Sequence, residues 1–345
     1  MKFEAVTIKD IAKSLGLSPS TVSRALRDSY EIGEETKKRV QVFAKEHNYR
    51  PNPVALSLKE KRTRSIGIVV AEIANSFFSQ IIDGVESVAY DRGYNIIITQ
   101  SKESVDKERQ ILEYLTSRSV DGVIISVSAK TDDFSQFQNL KDRGMHILFV
   151  DRIGKEIDSP KVIVDNNLGA YEATRHLIEN GCKNIAIICN NLNLSITQER
   201  IAGCEKAMNE KGIELKKERI KYCNYGGNIE KEVQKALNQL FKQKNKPDGI
   251  VSLSDRLSTE IIRYLNSRGI KIPQEVSLIG FSNSKNTELL SPSLSVIEQP
   301  AFKMGEEAAR LLLQMIESKR PVTTFETKVL TPKIIIRNSS QKNQK

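Results

Sequence analysis

From Ser65 onward, short runs of β-branched residues recur with amphipathic stretches between them, and few folds accommodate that alternation. Ser65–Val70, Tyr94–Thr99, Val120–Ile125 and His146–Val150 read as buried parallel strands, with helices expected near 77–92, 104–118 and 133–143. The pattern restarts at Val162–Val164 and continues through Asn184–Ile188, Gly249–Leu253 and Val276–Phe281. Strands this apolar belong to sheets covered on both faces by helices, so the expected core is α/β, two lobes of doubly wound parallel sheet. Ligands of such sheets bind outside the carboxyl ends of the strands. Two lobes facing each other therefore create a cleft between those ends.

The strand ends supply Asp151 and Arg152, Asp165 and Asn166, Asp255 and Arg256, and Ser282 and Asn283. Taken singly, each is either a helix cap or a ligand contact; several converging on one cleft favour contact. His47, His146 and His176 are the only histidines, and neither a G-x-S-x-G elbow nor a P-loop spacing is present, so no catalytic apparatus and no enzyme is expected. Cys182, Cys189, Cys204 and Cys223 lack the close paired spacing of a zinc site and read as buried thiols; no metal and no cofactor is expected.

At 345 residues, 39% hydrophobic and 28% charged, the chain is long enough for two or three domains and is not disordered. No apolar run approaches a membrane span, and Met1–Ala5 lacks the apolar stretch of a secretion signal, so a cytoplasmic protein without a membrane partner is expected.

Ahead of the α/β pattern lies a different one. Thr7 and Asp10 form a capping box before an apolar stripe, Ile8, Ile11, Ala12 and Leu15; Gly16 ends that helix. Ser18 caps the next, with Pro19 at its first position and Leu17 placed to staple onto Val22. Val22, Ala25 and Leu26 then face inward, leaving Pro19, Ser20, Ser23, Arg24 and Arg27 outside. A third helix is expected from Glu34 to about His47. Two short helices about a tight turn, the second presenting hydroxyls and an arginine, make a helix-turn-helix whose second helix fits a major groove. The alternative is a small bundle with a merely solvated face. Charge favours DNA: the first 64 residues hold 14 Lys+Arg against 8 Asp+Glu, the remaining 281 hold 39 against 35. Between the two patterns, Pro51 and Pro53 stop the bundle, Val54, Ala55, Leu56 and Leu58 follow, and Lys59, Lys61, Arg62 and Arg64 add a basic run. This segment is either a flexible linker or an apolar wedge for a minor groove.

These residues resemble the LacI/GalR family of bacterial transcription regulators over nearly the whole chain. The motifs are Thr7-Ile8-Lys9-Asp10-Ile11-Ala12, Ser20-Thr21-Val22-Ser23-Arg24, Tyr49-Arg50-Pro51-Asn52, Arg200-Ile201-Ala202-Gly203, Ile272-Pro273-Gln274-Glu275-Val276-Ser277-Leu278-Ile279-Gly280-Phe281 and Glu298-Gln299-Pro300. The resemblance implies an all-α headpiece (1–50), a hinge helix and linker (51–64), a periplasmic-binding-protein-like core (65–338) and a tail (339–345). It places lobe 1 at about 65–161 plus 295–322 and lobe 2 at about 162–291 plus 328–338, with crossings near 161–164, 291–295 and 322–328. The implied DNA contacts are Thr7, Pro19, Ser20, Thr21, Ser23, Arg24, Asn52, Ala55, Leu58 and Lys59, with Leu58 as the minor-groove wedge; Leu56 stands where arginine is frequent. The implied effector contacts are Phe77, Phe78, Asp151, Arg152, Arg200, Asp255 and Ser282.

Many members carry aspartate at the position of Ser282, a departure that counts against a neutral sugar. The resemblance thus implies a homodimer on a palindromic operator, switched by a small sugar-like effector. A protein coregulator and a sugar-binding transport protein are the alternatives; the second would need a secretion signal and no helix-turn-helix. The tail after Arg337 has no leucine heptad for a tetramer.

Overall fold

The computed structural model describes residues 6–49, 62–224, 226, 227 and 229–342. The chain divides into two units, Met1–Thr63 and Arg64–Lys345.

Among the described residues the first unit holds three helices, α1 (Ile8–Leu15), α2 (Pro19–Ala25) and α3 (Glu34–Glu46). The capping box forms as expected: the Thr7 hydroxyl accepts the Asp10 N–H at 3.3 Å and the Asp10 carboxylate accepts the Thr7 N–H at 2.9 Å. Gly16 closes α1 at φ 64°, with open space where a Cβ would be, so backbone conformation rather than crowding calls for glycine. The Ser18 hydroxyl accepts the Thr21 N–H at 3.1 Å and starts α2. Ile11, Ala12, Val22, Ala25, Val40 and Ala44 close the core. The third helix stops one residue short of His47, whose ring stacks on Phe43 with centroids 4.0 Å apart.

The second unit begins with β1 (Ser65–Val70), α4 (Ser76–Asp91), β2 (Asn95–Gln100), α5 (Val105–Ser117), β3 (Gly122–Ile125), α6 (Ser135–Asp142), β4 (His146–Val150) and β5 (Lys161–Val164). It continues with α7 (Asn166–Glu179), β6 (Ile185–Cys189), α8 (Ser195–Asn209), β7 (Ile220–Tyr222), α9 (Glu230–Phe241), β8 (Gly249–Ser252), α10 (Asp255–Ser267), β9 (Ser277–Phe281) and β10 (Ser295–Glu298). Last come α11 (Ala301–Glu317), β11 (Thr327–Leu330) and β12 (Lys333–Ile335). Two six-stranded sheets result, ordered β11-β5-β4-β3-β1-β2 and β12-β10-β9-β8-β6-β7. Every pairing is parallel except β10 with β12.

The lobe boundaries differ from the expected ones. β5 and β11 belong to the first sheet and β10 to the second, so the chain crosses after β5, after β10 and between β11 and β12. The expected start of lobe 2 at 162, the return to lobe 1 at 295 and the assignment of 328–330 to lobe 2 are therefore corrected. The reason is pairing: Phe149 registers with Lys161, Lys161 with Thr327, and Ile279 with Ser295, each of which extends the sheet already built. A strand added to a sheet satisfies its backbone polar groups before the chain leaves. The crossing strands are neighbours, and the Asp165 N–H donates to the Leu330 carbonyl at 2.9 Å.

Within each lobe one helix pair is in backbone contact. A Cβ on Gly84 of α4 would fall 2.0 Å from the Phe302 carbonyl oxygen of α11, and one on Gly203 of α8 would fall 2.2 Å from that of Asn167 on α7. The four cysteines are free and buried, as expected; burial pushes the Cys204 and Cys223 thiols up to about 12.

Glu307 joins α11 to β11. It accepts a hydrogen bond from Lys328 and pairs with Lys303 and Arg310, both at 3.1 Å. The Lys328 bond leads in holding its carboxyl down, from an ordinary 4.5 to about 2. A carboxyl depressed in the folded state stabilises above its unfolded pKa, and that contribution is lost as pH falls through the folded value. Core stability should therefore decline between pH 4.5 and 2, and Glu307→Gln should flatten part of that decline in urea melts at stepped pH.

Candidate ligand cleft and DNA-reading helix

Val22 and Ala25 anchor α2 in the helical core, which leaves Pro19, Ser20 and Arg24 exposed and Thr21 and Ser23 partly so. The Ser18 hydroxyl lies 2.7 Å from that of Ser20 and 2.9 Å from that of Thr21, so three hydroxyls cluster at the start of this helix. Arg24 pairs with Glu31 at 2.9 Å, across the turn toward α3. Arg27 donates to the Ser23 carbonyl at 3.1 Å. The Thr7 hydroxyl is already engaged by Asp10. Asn52, Ala55, Leu58 and Lys59 lie outside the described residues.

In the second unit, Phe77, Phe78, Asp151, Arg152, Arg200, Asp255 and Ser282 all line one cavity of about 340 Å³ between the two sheets. The carboxyl ends of β1, β2, β3, β4, β6, β7, β8, β9 and β10 contribute to it, and α4 and α8 supply the phenylalanines and Arg200. Glu72, Lys102, Glu103, Lys130, Asn190, Asn191, Asn224 and Gln299 also line it. The sequence reading did not single these out as pocket residues. Applied to every apolar run, the strand-end rule names those after β1, β2, β3 and β6; β7 has three residues and gives no such signal.

The first-lobe wall is an ion-paired turn. Lys102 and Glu103 both take left-handed backbone, at φ 51° and 58°. Glu103 thereby accepts the Ala129 N–H at 2.7 Å and receives Arg152 Nη1 on both oxygens at 2.8 Å. Asp151 is also left-handed, at φ 63°, and only 4% exposed. Burial pushes its carboxyl up against the pull of Arg152, whose Nε lies 3.9 Å away. Such a backbone costs of order 1–3 kcal/mol and persists where its surroundings hold it; here the Asp151 N–H donates to the Val162 carbonyl at 2.9 Å.

On the second lobe, the Ser282 hydroxyl donates to Asp255, whose carboxyl burial raises and this bond lowers. An aspartate at 282 would set two carboxylates against each other. Arg200 is 4% exposed. Its Nε donates to Asn166 Oδ1 at 2.8 Å, its Nη1 donates to the Leu253 carbonyl at 2.7 Å, and its guanidinium lies 3.9 Å from the centre of the Phe281 ring. Burial lowers its pKa to about 10.

Among the described residues, two sets of side-chain hydrogen bonds bridge the lobes. Arg256 Nη2 reaches both Glu72 oxygens at 2.7 and 2.6 Å. Asn283 Nδ2 donates to Gln80 Oε1 at 2.9 Å, and Gln80 Nε2 donates to the Asn283 carbonyl at 3.1 Å.

Burial separates the two arginines energetically. Arg200→Leu strands two buried acceptors, Asn166 Oδ1 and the Leu253 carbonyl, and should lower core stability by about 2–4 kcal/mol. Arg256→Leu removes a half-exposed pair and should cost less than about 1 kcal/mol. Urea denaturation of the two variants measures the difference.

Residues 7–52 match the bacterial regulatory proteins of the lacI family, and residues 63–340 match the periplasmic binding proteins and sugar binding domain of the LacI family. The HTH-type transcriptional regulator RegA of Clostridium saccharobutylicum is 35% identical over 317 residues, 91% of this chain and 94% of that protein. The HTH-type transcriptional repressor PurR of Vibrio campbellii is 32% identical over 340 residues, 97% of this chain and 99% of that one. Among solved structures, the complex of the transcriptional regulator CelR with cellobiose matches with a TM-score of 0.71 at 27% identity, covering 97% of this chain and 99% of that one. These relatives are regulators of transcription rather than enzymes. No helix among the described residues is long and apolar enough to cross a membrane. The chain belongs to the LacI family: it is a DNA-binding transcriptional regulator with a helix-turn-helix headpiece and a two-lobed, periplasmic-binding-protein-like core.

Proposed function

We propose that the protein is a cytoplasmic repressor that binds a palindromic operator as a homodimer and is switched by a small sugar-like effector between the lobes. The observation that carries the effector half is the convergence of seven residues from both lobes on one cavity. A ligand touching both lobes favours the closed arrangement, and it alters operator affinity only through its differential affinity for the two states, typically by about 1–3 kcal/mol. The relative solved with cellobiose supports a carbohydrate-like ligand.

The DNA half rests on α2, with its apolar side buried and Ser20 and Arg24 exposed. Arg24 is the base reader, and its pairing with Glu31 holds the guanidinium until a guanine edge replaces the carboxylate. Thr7, Pro19, Thr21 and Ser23 are the accompanying headpiece contacts. Asn52, Ala55 and Lys59 belong to the segment that follows, where Leu58 is the minor-groove wedge.

Arg24→Ala should cost about 1–3 kcal/mol on the operator and relax base preference at one symmetric position. Binding selection from random DNA followed by titration of parent and variant measures both; an equal loss on operator and random DNA makes Arg24 a phosphate contact instead. Leu58→Ala should reduce operator bending in circular-permutation gel shifts while leaving effector binding intact. For the switch, a carbohydrate panel is titrated by calorimetry and any hit is repeated in an operator-binding assay. A hit that never alters operator affinity overturns the switch.

A further inference from the structure

The charged groups of the cleft are unequally paired. Arg152 is held on both oxygens of Glu103, and Arg256 on both oxygens of Glu72. Arg200 has only neutral acceptors, an amide oxygen and a backbone carbonyl, and its Nη2 makes no bond among the described residues. Lys102 and Lys130, both exposed on the first-lobe side, also form no ion pair among the described residues. Three cations thus face the cavity without a carboxylate within 4.0 Å, one of them buried on the second lobe.

Asp151 and Glu199 act on Arg200 through the field, but neither accepts a hydrogen bond from it. Asp255 receives the Ser282 hydroxyl, and the charged form of Asp151 is disfavoured by its own burial. A buried cation is ordinarily matched by an opposite charge, because desolvation without a counter-charge costs several kcal/mol. A neutral sugar closing the lobes would complete the desolvation of Arg200 and bring none. It would also find a hydroxyl at 282 already committed to Asp255, where the family frequently offers a carboxylate. The side-chain amides of Asn75, Asn190, Asn191 and Asn224 supply N–H donors for hydroxyl groups, the oxygens of the first three already accepting from Phe77, Ser254 and Asn193.

Resting on the reading of the cleft as the effector site, we propose that the effector is a polyhydroxylated acid: its carboxylate meets Arg200, Lys102 and Lys130 add field from the opposite wall, and the asparagines take its hydroxyls. An arginine–carboxylate contact provides the charge-assisted bond that Arg200 lacks.

The test uses the full chain and matched probes: glucose with glucuronate, glucuronamide and gluconate, galactose with galacturonate, and glucose 6-phosphate, each titrated by calorimetry and then assayed for its effect on operator binding. At least one carboxylic acid should bind tenfold or more tightly than its parent sugar, with glucuronamide, the uncharged analogue of glucuronate, no tighter than glucose. Arg200→Gln should remove that preference. Because Arg200 also holds the lobe together, Lys130→Gln and Lys102→Gln, on exposed positions, serve as second variants; each should weaken the acid severalfold more than it weakens the parent neutral sugar. A panel in which no carboxylic acid binds, or in which a neutral sugar matches its acid, overturns the proposal, as does a phosphate ester binding where carboxylates do not. Neutral sugars that bind as tightly as their acids and are weakened by Phe77→Ala overturn the acid while preserving the cleft; an acid whose affinity ignores Phe77→Ala and Arg200→Gln alike overturns the cleft itself.

Discussion

Three strands of polypeptide join the two lobes, and they lie side by side. β5 and β11 are neighbours at one edge of the first sheet, β10 and β12 at one edge of the second, and the Asp165 N–H to Leu330 carbonyl bond ties two of the connections where they leave the first sheet. Side-by-side connections permit one lobe to rotate against the other while each sheet keeps its ladder. Arg200 joins this region to the cleft, because its Nε bonds Asn166, the first residue of α7 after the first crossing. Asn166 in turn donates to Glu199 at 2.9 Å, one residue before Arg200 on α8. A ligand that reorients Arg200 therefore acts on the connection itself, without an intervening chain of side chains.

The contacts within lobes and those between lobes differ in kind. Within a lobe, the apolar runs other than β2 are largely buried and Arg200 stacks on the Phe281 ring. Between lobes, Glu72–Arg256 is more than a third exposed on each side, and the Gln80–Asn283 pair exchanges neutral hydrogen bonds. Exposed pairs contribute about 0–1 kcal/mol. Breaking these contacts thus costs little compared with disrupting either core.

The headpiece was legible in the sequence because its signals are local: Thr7 with Asp10, Gly16, Ser18 and Pro19 each specify a helix end from a few adjacent residues. The strands of the core were legible for a similar reason, since Ile66, Ile68, Val123 and Ile147 need only be apolar in a short run. The crossings were not, because Val162-Ile163-Val164 has the same composition whichever sheet receives it, and only pairing with β4 and β11 decides. β11 and β12, four and three residues long with a partly exposed pattern, resemble loop until they are paired. In the cleft, the residues after β4, β8 and β9 were readable as strand ends. The same rule reaches Glu103 after β2, but its pairing with Arg152 depends on two successive left-handed residues that sequence spacing does not encode.

The glycine contacts have a mechanical consequence. Gly84 and Gly305 bring the backbones of α4 and α11 together, and Gly203 does the same for α8 against α7. Two backbones in contact have no rotamers to rearrange, so force applied at the cleft cannot be absorbed by repacking of side chains along these helices. Each lobe transmits displacement as a lever does. The soft coordinate that remains is the angle at the crossings, and the angular range of the hinge is set by the stiffness of the same helix pairs that carry Phe77, Phe78 and Arg200 to the cleft.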